Sequence, residues 1–178
     1  MSSDTFEFNP VSRITVGAIG RPGQRTFFLQ ASYDVDMISL KMEKEQVYAL
    51  ARGIDEILNE LEQREVQAIS RLEEPPASDL QLQEPIEPAF VVGQMGLAFD
   101  SSTKMMVLVL QGLPGEEGEP AASARLWASP AQMRALSRLA QEVVAQGRPI
   151  CPLCQRPIDP EGHFCPRHNG HNEGIQAD

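Results

Sequence analysis

One block of this chain occurs twice, and that constrains its fold more than any other feature. In the first half, Ile14-Thr15-Val16-Gly17-Ala18-Ile19-Gly20 is followed by the apolar run Thr26 to Ala31. A third apolar stretch, Met37 to Met42, then leads into an amphipathic segment from Glu43 to Leu61. After a proline-rich break the same order returns: Phe90 to Gly96, Met106 to Gly112, Arg125-Leu126-Trp127, and an amphipathic segment from Pro130 to Ala145. Val16-Gly17-x-x-Gly20 matches Val92-Gly93-x-x-Gly96, and Leu29-Gln30 matches Leu110-Gln111. In the amphipathic segments Gln46, Ala49, Leu50, Arg52 and Glu56 align with Gln132, Ala135, Leu136, Arg138 and Glu142. Self-similarity of this kind is the mark of a duplicated structural unit. The spacing drifts along the chain, so the loops must differ in length.

The apolar periods say what each unit contains. Ile38, Leu40 and Met42 alternate with Ser39 and Lys41, as in a half-buried strand. Val47, Leu50, Ile54, Ile57, Leu58 and Leu61 recur at three- and four-residue steps, which is one helical stripe. Met133, Leu136, Leu139, Ala140, Val143 and Val144 do the same in the second half. That second helix starts at Ser129-Pro130-Ala131-Gln132, a capping-box signal with proline in the first turn. Gly53 falls mid-helix, where a close approach to the sheet would explain it. The first helix is expected to start near Glu43 and to be able to run on through Leu72.

Lys104 to Leu110 is continuously apolar and predicts a central strand covered on both faces. Phe6-Glu7-Phe8 alternates as a short edge strand would. Residues 73–88 are acidic and hold four prolines, Pro75, Pro76, Pro85 and Pro88, and read as an extended, solvated connector. The expected fold is therefore α+β: duplicated β-β-β-α units forming a largely antiparallel sheet with two helices on one face. The body spans residues 1–148, with halves of about 11–72 and 89–147 joined by the linker 73–88. A small zinc-knuckle module occupies residues 149–178.

That module is the one piece of interpretable chemistry. Its core is Cys151-Pro152-Leu153-Cys154, followed by Cys165-Pro166-Arg167-His168. A Cys-x-x-Cys knuckle lets two thiolates converge on one tetrahedral zinc, and a second cluster completes the site. Cys151, Cys154 and Cys165 are the ligands expected from spacing. The fourth is His168, which mirrors the first knuckle, or His163, two residues before Cys165, with His171 a weaker third choice. Competing readings are a redox Cys-x-x-Cys, a catalytic zinc with an open position, and a metal-free tail. No thioredoxin-like βαβ context precedes the motif, which counts against the first. The tail is too small for its own core, so metal would supply its folding energy.

Elsewhere the chain offers little chemistry. All three histidines lie in the tail, so no Ser/His/Asp set can be assembled in the body. Gly20-Arg21-Pro22-Gly23-Gln24-Arg25 resembles an anion loop but lacks the P-loop lysine, and reads as a hairpin turn. Met95, Met105 and Met106 suit a core better than a cofactor pocket. The 178 residues carry a formal net charge of −10, which repels phosphate backbones and disfavours nucleic acid as a partner. No apolar run reaches the roughly 18 residues of a membrane span, and Met1-Ser2-Ser3-Asp4 does not open a signal peptide. All three cysteines lie between Cys151 and Cys165, which suits metal in a reducing, cytoplasmic setting better than a disulfide framework.

The chain also resembles a known family. The segments are Val16-Gly17-x-x-Gly20-x-Pro22-Gly23-x-Arg25-Thr26-Phe27-Phe28-Leu29-Gln30-Ala31, Glu43-Lys44-x-Gln46-Val47 and Gly93-x-Met95-Gly96-Leu97, together with Cys151-Pro152-Leu153-Cys154 and Asp159-Pro160-Glu161-Gly162-His163-x-Cys165. They are similar to a bacterial family of unknown function, the domain of unknown function numbered 3090, over nearly the whole chain. The resemblance implies no activity. It implies a regular Gly-His-x-Cys element, which leans toward His163 as fourth ligand while leaving His168 open.

The functional expectation is a cytoplasmic binding or adaptor protein with a structural Zn2+ site, no catalytic residues and a protein partner of unknown identity and stoichiometry. The first alternative is a zinc- or thiol-dependent enzyme using the Cys/His cluster. The second is a nucleic-acid-binding module reading through Arg148, Arg156 and Arg167.

Overall fold

A computed structural model describes residues 4–21, 23–64, 74–146, 151–156 and 164–167. Its strands are β1 (Thr5–Phe8), β2 (Arg13–Ile19), β3 (Thr26–Tyr33), β4 (Asp36–Met42), β5 (Pro88–Asp100), β6 (Met105–Gly112) and β7 (Ser123–Ala128). Two helices, α1 (Lys44–Gln63) and α2 (Pro130–Gln146), follow β4 and β7. The order β-β-β-α thus occurs twice. All seven strands join one sheet in the order β1-β7-β6-β5-β4-β3-β2.

Within each half the neighbours are antiparallel, as short hairpin loops require. The expectation of a largely antiparallel sheet needs correction at two seams, which make it mixed: β4 pairs with β5, and β1 with β7, in parallel. The reason lies in the connection. The crossover from β4 to β5 contains α1, and a helical crossover returns the chain to the end where the preceding strand began.

Alternation sends one set of side chains to an inner face. Val16, Leu29 and Leu40 form one row across β2, β3 and β4, and Leu108 and Leu126 another across β6 and β7. All five are buried in a single core that both helices complete through Val47, Leu50, Ile54, Leu58, Met133, Leu136 and Ala140. The helices lie against each other at small residues. Ser137 Oγ shares its one hydrogen between Asp55 Oδ1, at 2.6 Å, and the carbonyl of Ala51, at 3.1 Å. An ion pair between Arg134 and Glu62 joins them further along.

Each helix is capped by a glutamine that also ties the two halves together. Gln46 Oε1 accepts from the Glu43 N–H at 2.8 Å, while its Nε2 donates to the carbonyl of Val92 in β5. Gln132 Oε1 accepts from the Ser129 N–H at 2.9 Å, Ser129 Oγ accepts from the Gln132 N–H, and Gln132 Nε2 donates to the carbonyl of Val11 just before β2. Each closes orphan donors of a first turn. Each helix of one half is thereby fastened to the opening strand of the other.

The outer face holds the main departure from expectation. The linker is solvent-exposed along most of its length but is not merely extended: residues Ala77–Leu80 form a 3-10 turn, and the chain around it straps the outer face of β2, β3 and β4. Thr15, Gln30 and Ser39 stand in one row across those strands, and all three are buried. Thr15 Oγ1 donates to the carbonyl of Leu80 at 2.7 Å, and Arg13 Nη1 to that of Gln81 at 2.9 Å. Gln30 donates to the carbonyl of Gln83 and accepts from its N–H, at 2.9 and 2.8 Å. Leu82 lies directly on Gly17, where a Cβ would come within 2.6 Å of its side chain, so any larger residue would push Leu82 off the strand. Arg138 of α2 pairs with Glu74 at the strap's start at 2.6 Å.

Covering is unequal between the halves. In β6, Met106, Leu108 and Leu110 are buried, but Met105, Val107 and Val109 are only half-buried. The expectation of a strand covered on both faces is corrected here: the strap's hydrogen bonds go to the first-half strands, and β6 packs fully on one side. The reading that α1 continues through Leu72 concerns residues outside those described.

Gly53 is half-buried and faces Leu97, and a Cβ there would meet the Leu97 Cδ2 at 3.8 Å, an ordinary contact. The close approach expected from the sequence is absent at this position. Gly53→Ala should therefore raise stability by about 0.5–1 kcal/mol through helix propensity and a less flexible unfolded chain. A urea denaturation midpoint shifted upward at unchanged slope checks this.

Candidate metal centre

The three cysteines of the Cys-x-x-Cys and Cys-Pro-x-His elements come together. The sulfurs of Cys151, Cys154 and Cys165 all lie within 4.8 Å of one another, with Cys151 Sγ and Cys165 Sγ at 3.9 Å. Cys151 is buried and the other two are half-buried. None is in a disulfide.

The first knuckle is shaped by its own backbone. The Gln155 N–H donates to the Cys151 carbonyl at 2.8 Å, and the Cys151 N–H to the Arg156 carbonyl at 2.9 Å. Gln155 takes φ 60°, the left-handed turn that reverses the chain. The fold of this turn aims the N–H groups of Cys154 and Leu153 at the Cys151 sulfur, and these donors lower its pKa to about 6. Cys165 moves the other way: burial raises its pKa, opposed by the Arg167 N–H. Hydrogen bonds to the charged form are what hold a thiolate at neutral pH. Arg167 also joins the knuckles directly, donating from Nη1 to the Leu153 carbonyl at 3.2 Å.

The spacing fits a tetrahedral metal. Two sulfurs each about 2.3 Å from a zinc ion, at the tetrahedral angle, stand about 3.8 Å apart. The observed 3.9 Å between Cys151 and Cys165 matches that edge. Three close cysteines can thus hold a metal ion through soft sulfur donors. His163 and His168, the two leading histidines for the fourth position, lie outside the described residues, as does His171.

The other sequence candidates resolve differently. Gly20 to Arg25 forms the β2–β3 hairpin turn, with Ile19 opposite Thr26, although Pro22 itself is outside the described residues. Arg25 is taken up structurally. It donates to the carbonyl of Val143 at 3.0 Å, in the last turn of α2, where the chain has no basic residue of its own. A cation there meets the negative end of the helix dipole. A cleft of about 470 Å³ opens beside it. Its cations, Arg25, Lys41 and Lys44, are largely offset by Glu43 and Glu45, so it presents no strong charge.

Reasoning from sequence missed the polar row under the strap. Thr15, Gln30 and Ser39 fall on three different strands, and only the strand register lines them up, with Arg13 reaching Gln30 from two residues before Thr15. It also missed the amide donors to sulfur, which follow from the turn geometry.

The comparisons with known proteins bear on the family. A family model described as "Protein of unknown function (DUF3090)" matches residues 6–165, and the chain belongs to that family. No curated protein and no solved structure matches the chain. Among the described residues, no helix is long and apolar enough to cross a membrane.

Proposed function

We propose that this is a non-catalytic cytoplasmic binding or adaptor protein whose tail is folded by a structural zinc ion. The observation that carries the reading is the convergence of three sulfurs within 4.8 Å, with main-chain donors already turned toward Cys151. Such a site stabilises the Cys151 thiolate before any ion arrives, and a fourth protein ligand would close the shell to water. The ligand set is Cys151, Cys154 and Cys165 with His163 or His168. The tail, residues 149–178, then forms a module separate from the body. A protein partner fits the acidic surface, at net charge −10, better than nucleic acid does.

We also infer that the body arose by duplication. The reciprocal roles of Gln46 and Gln132, which align in the repeat, support this beyond the repeated element order.

The test is metal content with the two histidines replaced one at a time. The native chain should carry about one zinc, and His163→Ala should release most of it while His168→Ala retains it. Retention by both variants, with water in the shell, would instead favour the zinc-dependent enzyme.

A further inference from the structure

The three thiols have a second way to close. Cys151 Sγ and Cys165 Sγ are 3.9 Å apart, and a disulfide bond is about 2.05 Å long. Closing the pair takes a movement of about 1.9 Å. The two residues sit on different knuckles, 14 positions apart in the chain, so a bond between them does what a shared metal does: it holds the knuckles together. A bond between Cys151 and Cys154 would lie within one knuckle and leave the other unattached.

The backbone is also built to keep the pair close without a metal. The first knuckle is closed by Gln155 N–H to Cys151 carbonyl and Cys151 N–H to Arg156 carbonyl. Arg167 Nη1 reaches from the second knuckle to the Leu153 carbonyl of the first. None of these bonds involves sulfur or an ion.

We propose that the cluster is a metal-gated thiol switch, in which hydrogen peroxide converts the metal-bound state to a Cys151–Cys165 disulfide and sets the ion free. This rests on the metal-binding reading above. The chemistry balances with peroxide alone as oxidant. The Cys151 sulfur attacks one peroxide oxygen, the O–O bond breaks, and the departing hydroxide takes a proton to leave as water. Cys151 is then a sulfenic acid. The Cys165 sulfur attacks it, the S–S bond forms, the S–O bond breaks, and the second oxygen leaves as water. In sum two metal-bound thiolates lose two electrons, solvent supplies two protons, and peroxide is reduced to two waters. Two of the sulfur donors are spent, and Cys154 with one histidine is half of a tetrahedral shell, too little to retain the ion. Cys154 lies beside the new bond and can attack its Cys151 sulfur, which gives a dithiol reductant a way back.

The experiment uses the full chain loaded with zinc and titrated with hydrogen peroxide. A chromogenic chelator reads the freed metal, and peptide mapping by mass spectrometry reads the linkage. The expected result is about one zinc released per intramolecular disulfide, mapped to Cys151–Cys165 and reversed by dithiothreitol with zinc rebinding. Metal-free Cys154→Ser should form the same link, since it keeps both partners. A link between Cys151 and Cys154, a bond between two chains, or release accompanied only by sulfinic and sulfonic acids would overturn the proposal while leaving the metal reading intact. A native chain that takes up no zinc before oxidant is added would sink the metal reading and the gating with it.

Discussion

Cys154→Ser should strip the metal from the tail and leave the body folded. A serine oxygen is a poor substitute for thiolate at a soft site, and the variant also loses the second half of the Cys-x-x-Cys chelate. Metal content should fall from about one ion per chain to below about a tenth. The body has its own core, from Phe8 to Val144, and shares none of these ligands. Its thermal transition should therefore stay within about 1 °C of the native one, since surface changes remote from the core cost little. The tail should become far more sensitive to limited proteolysis, because the ion supplies its folding free energy. A body that unfolds together with the tail would show that tail and body are one cooperative unit.

The second large effect is expected under the strap. Gln30 is fully buried and makes four hydrogen bonds to three residues. Its Oε1 accepts from Arg13 Nη2 at 2.5 Å and from the Gln83 N–H at 2.8 Å. Its Nε2 donates to Ser39 Oγ at 3.0 Å and to the Gln83 carbonyl at 2.9 Å. Gln30→Leu keeps most of the volume, so little of its cost is a cavity. What it removes is every one of those hydrogen bonds at once.

Arg13 is the sensitive partner. Burial lowers its pKa, with partial compensation from Asp79 on the strap, and its Nε already lacks a partner among the described residues. Leaving a buried group unpaired costs about 1–3 kcal/mol, more when it is charged. The substitution should cost about 4 kcal/mol in all and lower the melting temperature by roughly 8–16 °C. It should also free the strap, so that a protease cuts near Leu80 before the core unfolds. Gln30→Glu keeps both acceptor roles and sets a carboxylate beside Arg13, so its loss should be smaller. A Gln30→Leu variant that loses under about 1 kcal/mol would mean that the strap is held by something other than this row.

What could be read from the sequence follows how local each interaction is. The strands and helices came from alternation and three- and four-residue periods, which depend on neighbours a few positions away. Ser129 and Gln132 announced a capping box three residues wide, and both bonds of that box are present. Gln46 performs the same duty from a less obvious Glu43 start. The Cys-x-x-Cys knuckle was legible for the same reason: one turn of backbone brings its two sulfurs together.

The parts that escaped depend on distant partners. Nothing near Thr5 to Phe8 says that it pairs with β7, and nothing near Pro88 says that β5 runs parallel to β4. Thr15, Gln30 and Ser39 looked like isolated polar interruptions until the register placed them side by side. Leu80 to Gln83 looked solvated because its binding surface lies 50 to 70 residues earlier in the chain, as with Gln83 on Gln30 and Leu80 on Thr15. The fourth ligand stayed open for a local reason. Gly-His-x-Cys and Cys-Pro-x-His both set a histidine within three sequence positions of Cys165, and spacing alone does not choose between them.

X-ray absorption at the zinc edge of the native, zinc-loaded chain tests the central claim most directly. The account predicts a four-coordinate ion with three sulfurs at about 2.3 Å and one histidine nitrogen at about 2.0–2.1 Å. A shell with two sulfurs or fewer, or one completed by a water oxygen, would contradict it.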